Sequence, residues 1–158
     1  MRRYTLIVPT RNKGLLDITE QVQAKLDDSG LRDGMLNLFL QHTSASLLVN
    51  EGADPQVGRD LEAWMSREVV DGDPIFLHTE EGDDDMSAHV RAALTAVSLN
   101  IPVIDGKIAL GTWQRVFLWE HRIAPLQRKI VLSLWCRPTH WRGSEAGDAH
   151  APARASIA

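Results

Sequence analysis

The densest chemistry in the sequence is the run His78-Thr79-Glu80-Glu81-Gly82-Asp83-Asp84-Asp85-Met86-Ser87-Ala88-His89, which sets two imidazoles around five carboxylates. Acids at the start of a helix are stabilised by its dipole, by about 0.3 to 1 kcal/mol each, so part of this run can serve as a solvated helix start. Five carboxylates within six residues exceed that need and repel one another, a cost that a bound cation relieves. Asp85 and His89 stand four residues apart and are therefore neighbours on a helix, the relation of a carboxylate orienting an imidazole around a metal site.

Three further segments carry reactive groups. His42-Thr43-Ser44-Ala45-Ser46 ends a strand whose Leu36, Leu38 and Leu40 share the face that His42 continues. Those residues can be site groups, or a core histidine with hydroxyls satisfying a turn. In Asn50-Glu51-Gly52-Ala53-Asp54 the aspartate has a sufficient role as a helix cap, which leaves Asn50 and Glu51 for chemistry. Gly111-Thr112-Trp113-Gln114, followed by Glu120-His121-Arg122, offers backbone amides, a hydroxyl, a carboxamide and a charged trio along one strand; a glycine turn leading into an edge strand is the alternative. His42, His78 and His89 lack a local ligand spacing such as His-Glu-x-x-His, so they form a three-histidine site only if the fold assembles them. Imidazoles favour zinc, nickel or copper, whereas the aspartate run favours magnesium or manganese.

The elements that must position these groups read as α+β. Tyr4 to Val8 and Met35 to Gln41 are expected strands, and Asp17 to Asp28 an intervening helix with Ile18, Val22 and Leu26 on one face, started by Asp17 with Glu20 and stopped by Ser29-Gly30. A second helix starts at Asp54-Pro55 with Val57, Leu61, Trp64 and Met65 as its apolar face. A third spans Met86 to Val97 with Met86, Val90, Ala93 and Val97 inward. Strands are expected at Ile75 to His78, at an Asp105-Gly106 hairpin, at Trp113 to His121 and at Arg128 to Cys136, where the alternation would bury the single cysteine, Cys136. The element order lacks a regular βαβ alternation, which favours antiparallel sheets.

At 158 residues and a net charge of −4, the chain fits one domain, assigned to residues 1–137, with 138–158 as a flexible tail. Scattered arginines give no phosphate-backbone footprint, so nucleic acid is not expected as a partner. No apolar run reaches the roughly 20 residues of a membrane helix, so no membrane association is expected, and a single cysteine suits a reducing compartment; the expected location is the cytoplasm.

Together, His42-Thr43-Ser44-Ala45, Asn50 to Pro55, Glu81 to His89 and Leu110-Gly111-Thr112-Trp113-Gln114 through Arg122 resemble the YjbQ-like family, whose members are often labelled secondary thiamine-phosphate synthase enzymes. The resemblance implies a β-sandwich core of mainly antiparallel strands with about three packed helices, assembling as a homotrimer. It also implies a divalent metal, zinc foremost and magnesium as the alternative, held by His42, His78 and His89, with Glu51, Asp54, Asp84 and Asp85 around the same pocket. On that basis Glu51, Asp84, Asp85 and Glu120 are the expected catalytic groups. Thr43, Ser44, Asn50, Gly111, Thr112, Gln114 and Arg122 are the expected contacts to a small phosphorylated molecule. The implied activity joins a pyrimidine diphosphate to a thiazole phosphate, weakly; a zinc-dependent hydrolase and a non-enzymatic trimeric metal- or metabolite-binding protein are the alternatives. The sequence departs from the family pattern at Gly52, Ser87 and Arg115, where asparagine, proline and glycine are usual.

Overall fold

The computed structural model describes residues 1–136, so the expected tail lies outside the described residues. In chain order the elements are β1 (Arg2–Thr10), β2 (Gly14–Asp17), α1 (Thr19–Ser29), β3 (Gly34–Leu40), β4 (Ala45–Glu51), α2 (Pro55–Glu68), α3 (Asp83–Leu94), β5 (Ser98–Ile104), β6 (Lys107–Ile108), β7 (Gln114–Glu120) and β8 (Leu126–Trp135). They form a five-stranded sheet, β1-β8-β3-β5-β6, and a three-stranded sheet, β2-β7-β4, with every pairing antiparallel. Period-2 alternation turns Leu36, Leu38 and Leu40 of β3 and Ile130, Leu132 and Leu134 of β8 onto one face. They pack there with Leu47, Val116 and Leu118 of the smaller sheet and with Ile18, Val22 and Leu26 beside and on α1. Each such side chain contributes about 1.5 to 3 kcal/mol when fully buried.

Local signals act where expected. Gly30 ends α1 in the left-handed region at φ 66°, and Asp105-Gly106, with φ 50° and 77°, closes the β5–β6 hairpin. Asp54 caps α2 by accepting the Gln56 N–H, and Pro55 occupies the first turn.

Several expectations need correction. Asp17 and Glu20 form no capping box: Asp17 ends β2, a strand too short to read from periodicity, and its carboxylate accepts the Thr19 N–H. Ile75 to His78 is not a strand. Asp73-Pro74 sets a turn in which the Asp73 carboxylate and carbonyl take the N–H groups of Ile75 and Phe76, and Leu77 is 93% exposed. Helix α3 begins earlier and stops at Leu94, and its buried face carries Asp85, Ser87, Ala88, Arg91 and Ala92; of the expected inward residues, Val90 packs against the Met65, Val69 and Trp119 cluster, whereas Ala93 is exposed. Trp64 is half exposed, whereas Trp119 is buried. Cys136 is exposed because β8 ends at Trp135, before the alternation reaches it.

The β4–β7 ladder organises the functional groups. Ala45 pairs with Glu120 at one end and Glu51 with Gln114 at the other, six residues along, or roughly 20 Å at about 3.3 Å per residue. Residues 42–45 and 120–122 therefore meet at one end of the sheet, and 50–54 and 111–115 at the other.

Candidate metal centre

At the first end, His78, Asp85 and His89 converge, with one ligating atom from each lying within 4.8 Å of the others. Asp85 sits in the first turn of α3 and His89 one turn later, so the helix alone brings the carboxylate and one imidazole together. The loop after α2 delivers the second: His78 Nε2 is 3.0 Å and His89 Nε2 3.3 Å from the same oxygen, Asp85 Oδ2. The two rings are tilted, with centroids 5.7 Å apart.

The surroundings fix the chemistry of these atoms. His89 Nδ1 lies 3.0 Å from the Thr43 carbonyl oxygen, which can only accept, so Nδ1 carries a hydrogen and Nε2 of the neutral ring presents its lone pair. That lone pair faces a carboxylate oxygen that is buried and, among the described residues, accepts no hydrogen bond. Two lone-pair atoms so placed repel unless a proton or a cation lies between them. Ligand atoms about 2.0 to 2.1 Å from a tetrahedral ion would stand about 3.3 Å apart, close to the two carboxylate–imidazole separations, and all three candidate atoms lie within 4.8 Å of one another. The donor set of two imidazoles and one carboxylate fits a divalent transition ion and leaves coordination positions open. Arg122 fixes the other side of Asp85: its guanidinium bonds Asp85 Oδ1 and the Glu81 carbonyl, and is held by Asp84 Oδ2 at 3.3 Å. Asp84 Oδ2 also accepts the Ile123 N–H at 2.8 Å. Asp84 and Arg122 thus position Asp85.

The family model for the UPF0047 protein YjbQ-like matches residues 4–137. The chain belongs to the YjbQ-like UPF0047 family. It is 43% identical over 127 residues to UPF0047 protein sll1880 of Synechocystis, covering 80% of this chain and 86% of that one. It is also 41% identical over 133 residues to UPF0047 protein YjbQ of Salmonella typhimurium, covering 82% and 94%. Among solved structures, hypothetical protein APE1520 of Aeropyrum pernix superposes with a TM-score of 0.79 at 30% identity, covering 87% of this chain and all of that one. The conserved hypothetical protein TT1486 of Thermus thermophilus gives 0.75 at 37% identity, covering 84% and 99%. The antiparallel two-sheet architecture with three helices thus superposes on solved structures over most of the chain.

This YjbQ-like chain distributes the expected site residues unevenly. His42 stands outside the converging trio: its Nε2 accepts the Lys129 N–H at 2.8 Å, and burial, then the Arg128 charge, hold its pKa below the ordinary imidazole value against the opposing pull of Glu120. Glu120 is wholly buried. Its oxygens take bonds from Arg128, from Thr10 at 2.7 Å and from the His121 and Arg122 N–H groups. Burial alone would raise its pKa, but those hydrogen bonds and the Arg128 charge outweigh it and hold the carboxyl below its usual value. Glu120 is therefore an anchor for the Arg122 turn, and the Ser44 carbonyl joins the anchor by accepting Arg128 Nη2 at 3.1 Å. Thr43 contributes through its carbonyl.

Within one chain, Glu51 and Asp54 do not join the histidines; they line a separate cavity at the far end of the ladder. Gln114 turns back to accept the Gly111 N–H, Asn50 accepts the Glu51 N–H, and Thr112 is exposed. Of the departures from the family pattern, Gly52 and Arg115 are complementary: a Cβ on Gly52 would stand 2.2 Å from Arg115 Cγ. Ser87 Oγ donates to Asp71 at 2.5 Å.

Sequence reasoning missed two buried arginines. Arg128 pairs with Glu120, and Arg91, only 1% exposed, bonds Glu62 and the Val69 carbonyl with Asp71 nearby. A signal for Arg91 existed in its spacing of four from Ser87 and three from Ala88 along one helical face. His121, also wholly buried, contacts Ser46 Oγ through Nε2 at 2.9 Å. Burial first, then the Arg91 charge, lowers its pKa to about 3.

Proposed function

We propose that this YjbQ-like protein is a divalent-metal enzyme whose ion is held by His78, Asp85 and His89 and which acts on a small molecule by metal-assisted hydrolysis. The observation that carries the reading is the buried Asp85 Oδ2, which has no hydrogen bond among the described residues and faces the Nε2 atoms of both imidazoles. A divalent ion bound there supplies Lewis acidity, polarising a carbonyl or phosphoryl oxygen and acidifying water. The chain's own groups do the rest: the Thr43 carbonyl holds the His89 tautomer, Arg122 orients Asp85, and Asp84 orients Arg122.

The transferase reading, formation of thiamine phosphate with release of pyrophosphate, asks the site to hold a diphosphate. Arg122 is engaged by three acidic-run residues, so in this reading the Glu81 and Asp83 carboxylates would hold a magnesium ion, which would supply the charge neutralisation that a diphosphate needs. Zinc or manganese with phosphate-ester and amide substrates, and magnesium with the two thiamine precursors, form the assay that separates the readings. Metal-dependent hydrolysis lost in His89→Ala supports the first. Silence of every substrate with every metal supports neither enzyme and leaves a metal- or metabolite-binding protein.

For assembly we propose the homotrimer, supported by Ile7, Phe39 and Trp135, which stand half exposed on the outer face of the larger sheet.

A further inference from the structure

A cavity of about 600 Å³ lies toward the other end of the β4–β7 ladder, between α2 and the β2–β7 face, and shares no residue with the imidazole–carboxylate trio. Its apolar floor is Leu15 and Phe117, and its rim carries Asp17, Glu51 and Asp54. We propose that this cavity is a second ligand site, which takes a small organic cation with a flat apolar body.

Two observations support this, independently of the metal reading. The first is charge. Of the two cations on the wall, Lys13 is paired with Asp71, while Arg59 donates to the neutral Gln56 carboxamide and keeps its charge; Glu62 is shared between Arg91 and Trp119, so three rim carboxylates face one uncompensated guanidinium. The rim carboxylates of Glu51 and Asp54 have no cationic partner among the described residues and accept only the N–H groups of Ala53 and Gln56, while Asp17 accepts the Thr19 N–H and has Arg115 at 4.0 Å. Their field is complementary to a cation and hostile to a phosphate.

The second is Gly58. Glycine in a helix interior is destabilising relative to alanine, and packing usually explains it where it persists. Here it does not, because a Cβ on Gly58 would meet nothing within 4 Å. Gly58 lies on the cavity wall, one turn after Pro55 and one before Glu62, where its bare backbone lets a flat group approach the helix. With Phe117 opposite, the wall suits an aromatic body whose charged end reaches the Glu51–Asp54 rim.

The test uses the full chain and two probes of similar size, benzyltrimethylammonium and phenylacetate, titrated by amide chemical shift. The cation should bind saturably, at least tenfold tighter than the anion, with shifts centred on residues 13–17, 51–66 and 117. Gly58→Leu, which fills open space, should weaken cation binding at least tenfold without lowering Tm, and Glu51→Gln should weaken it several-fold. His89→Ala should leave probe binding unchanged while removing the metal, so loss of the metal reading and loss of this one are told apart. Equal binding of both probes, no binding of either, or a folded Gly58→Leu that binds like wild type overturns the proposal. So does light scattering that shows copies of the chain associating through this wall and dissociating on Gly58→Leu.

Discussion

At the scale of single residues, the candidate centre depends on a second layer that fixes each ligand. Arg128 and Glu120 form a wholly buried pair beneath the Arg122 turn. Arg128→Met leaves the Glu120 carboxylate without its cation and should cost about 3 to 5 kcal/mol in urea unfolding. The two buried titratable groups also give the stability a defined pH dependence. His121 has its pKa lowered to about 3 from 6.5, so below pH 6.5 the unfolded chain takes up a proton that the folded chain refuses. Stability from this group therefore falls as pH falls, by about 1.4 kcal/mol per pH unit at full effect. Glu120, held below its ordinary 4.5, keeps its contribution above that value and loses it as pH falls through the depressed one. Unfolding free energy measured from pH 7 downward should thus begin to decline near 6.5. In His121→Gln the slope between 6.5 and 4.5 should flatten, leaving a residue from His42, while the steeper loss below 4.5 persists. An unchanged slope in the variant would contradict the buried neutral imidazole.

At the scale of elements, what could be read was what local chemistry decides. Gly30, Asp54-Pro55 and Asp105-Gly106 act through their own backbone preferences and were legible. Strand β2 was not, since four residues carry too little periodicity, and the face of α3 was misread because its buried side holds Asp85, Ser87 and Arg91. Those groups can be buried only because Arg122, Asp71 and Glu62, distant in sequence, meet them. Two variants test the account of α2. Asp54→Ala removes the bond to the Gln56 N–H and should cost about 1 kcal/mol by urea denaturation. Gly58→Ala, on a wall with open space, should stabilise by about 0.5 to 1 kcal/mol.

At the scale of the whole molecule, the sequence motifs that belong to one family pattern lie at two ends of a single ladder, and register, which no local signal encodes, decides which residues share an end. Asp85 with His89 was legible because helical spacing couples them; His78 joins through a loop that periodicity misassigned, and His42 stays outside because the Lys129 N–H occupies its Nε2. A homotrimer should scatter light with three times the chain's 17.6 kDa mass at micromolar concentration; a one-chain mass would contradict it. The most direct test of the central claim is zinc content per chain by elemental analysis of untagged protein, in wild type and in three single variants. The geometry predicts about one zinc in wild type and in His42→Ala, and loss of it in His78→Ala and His89→Ala. Zinc retained by His78→Ala and lost by His42→Ala, or no zinc in any of the four, would contradict it.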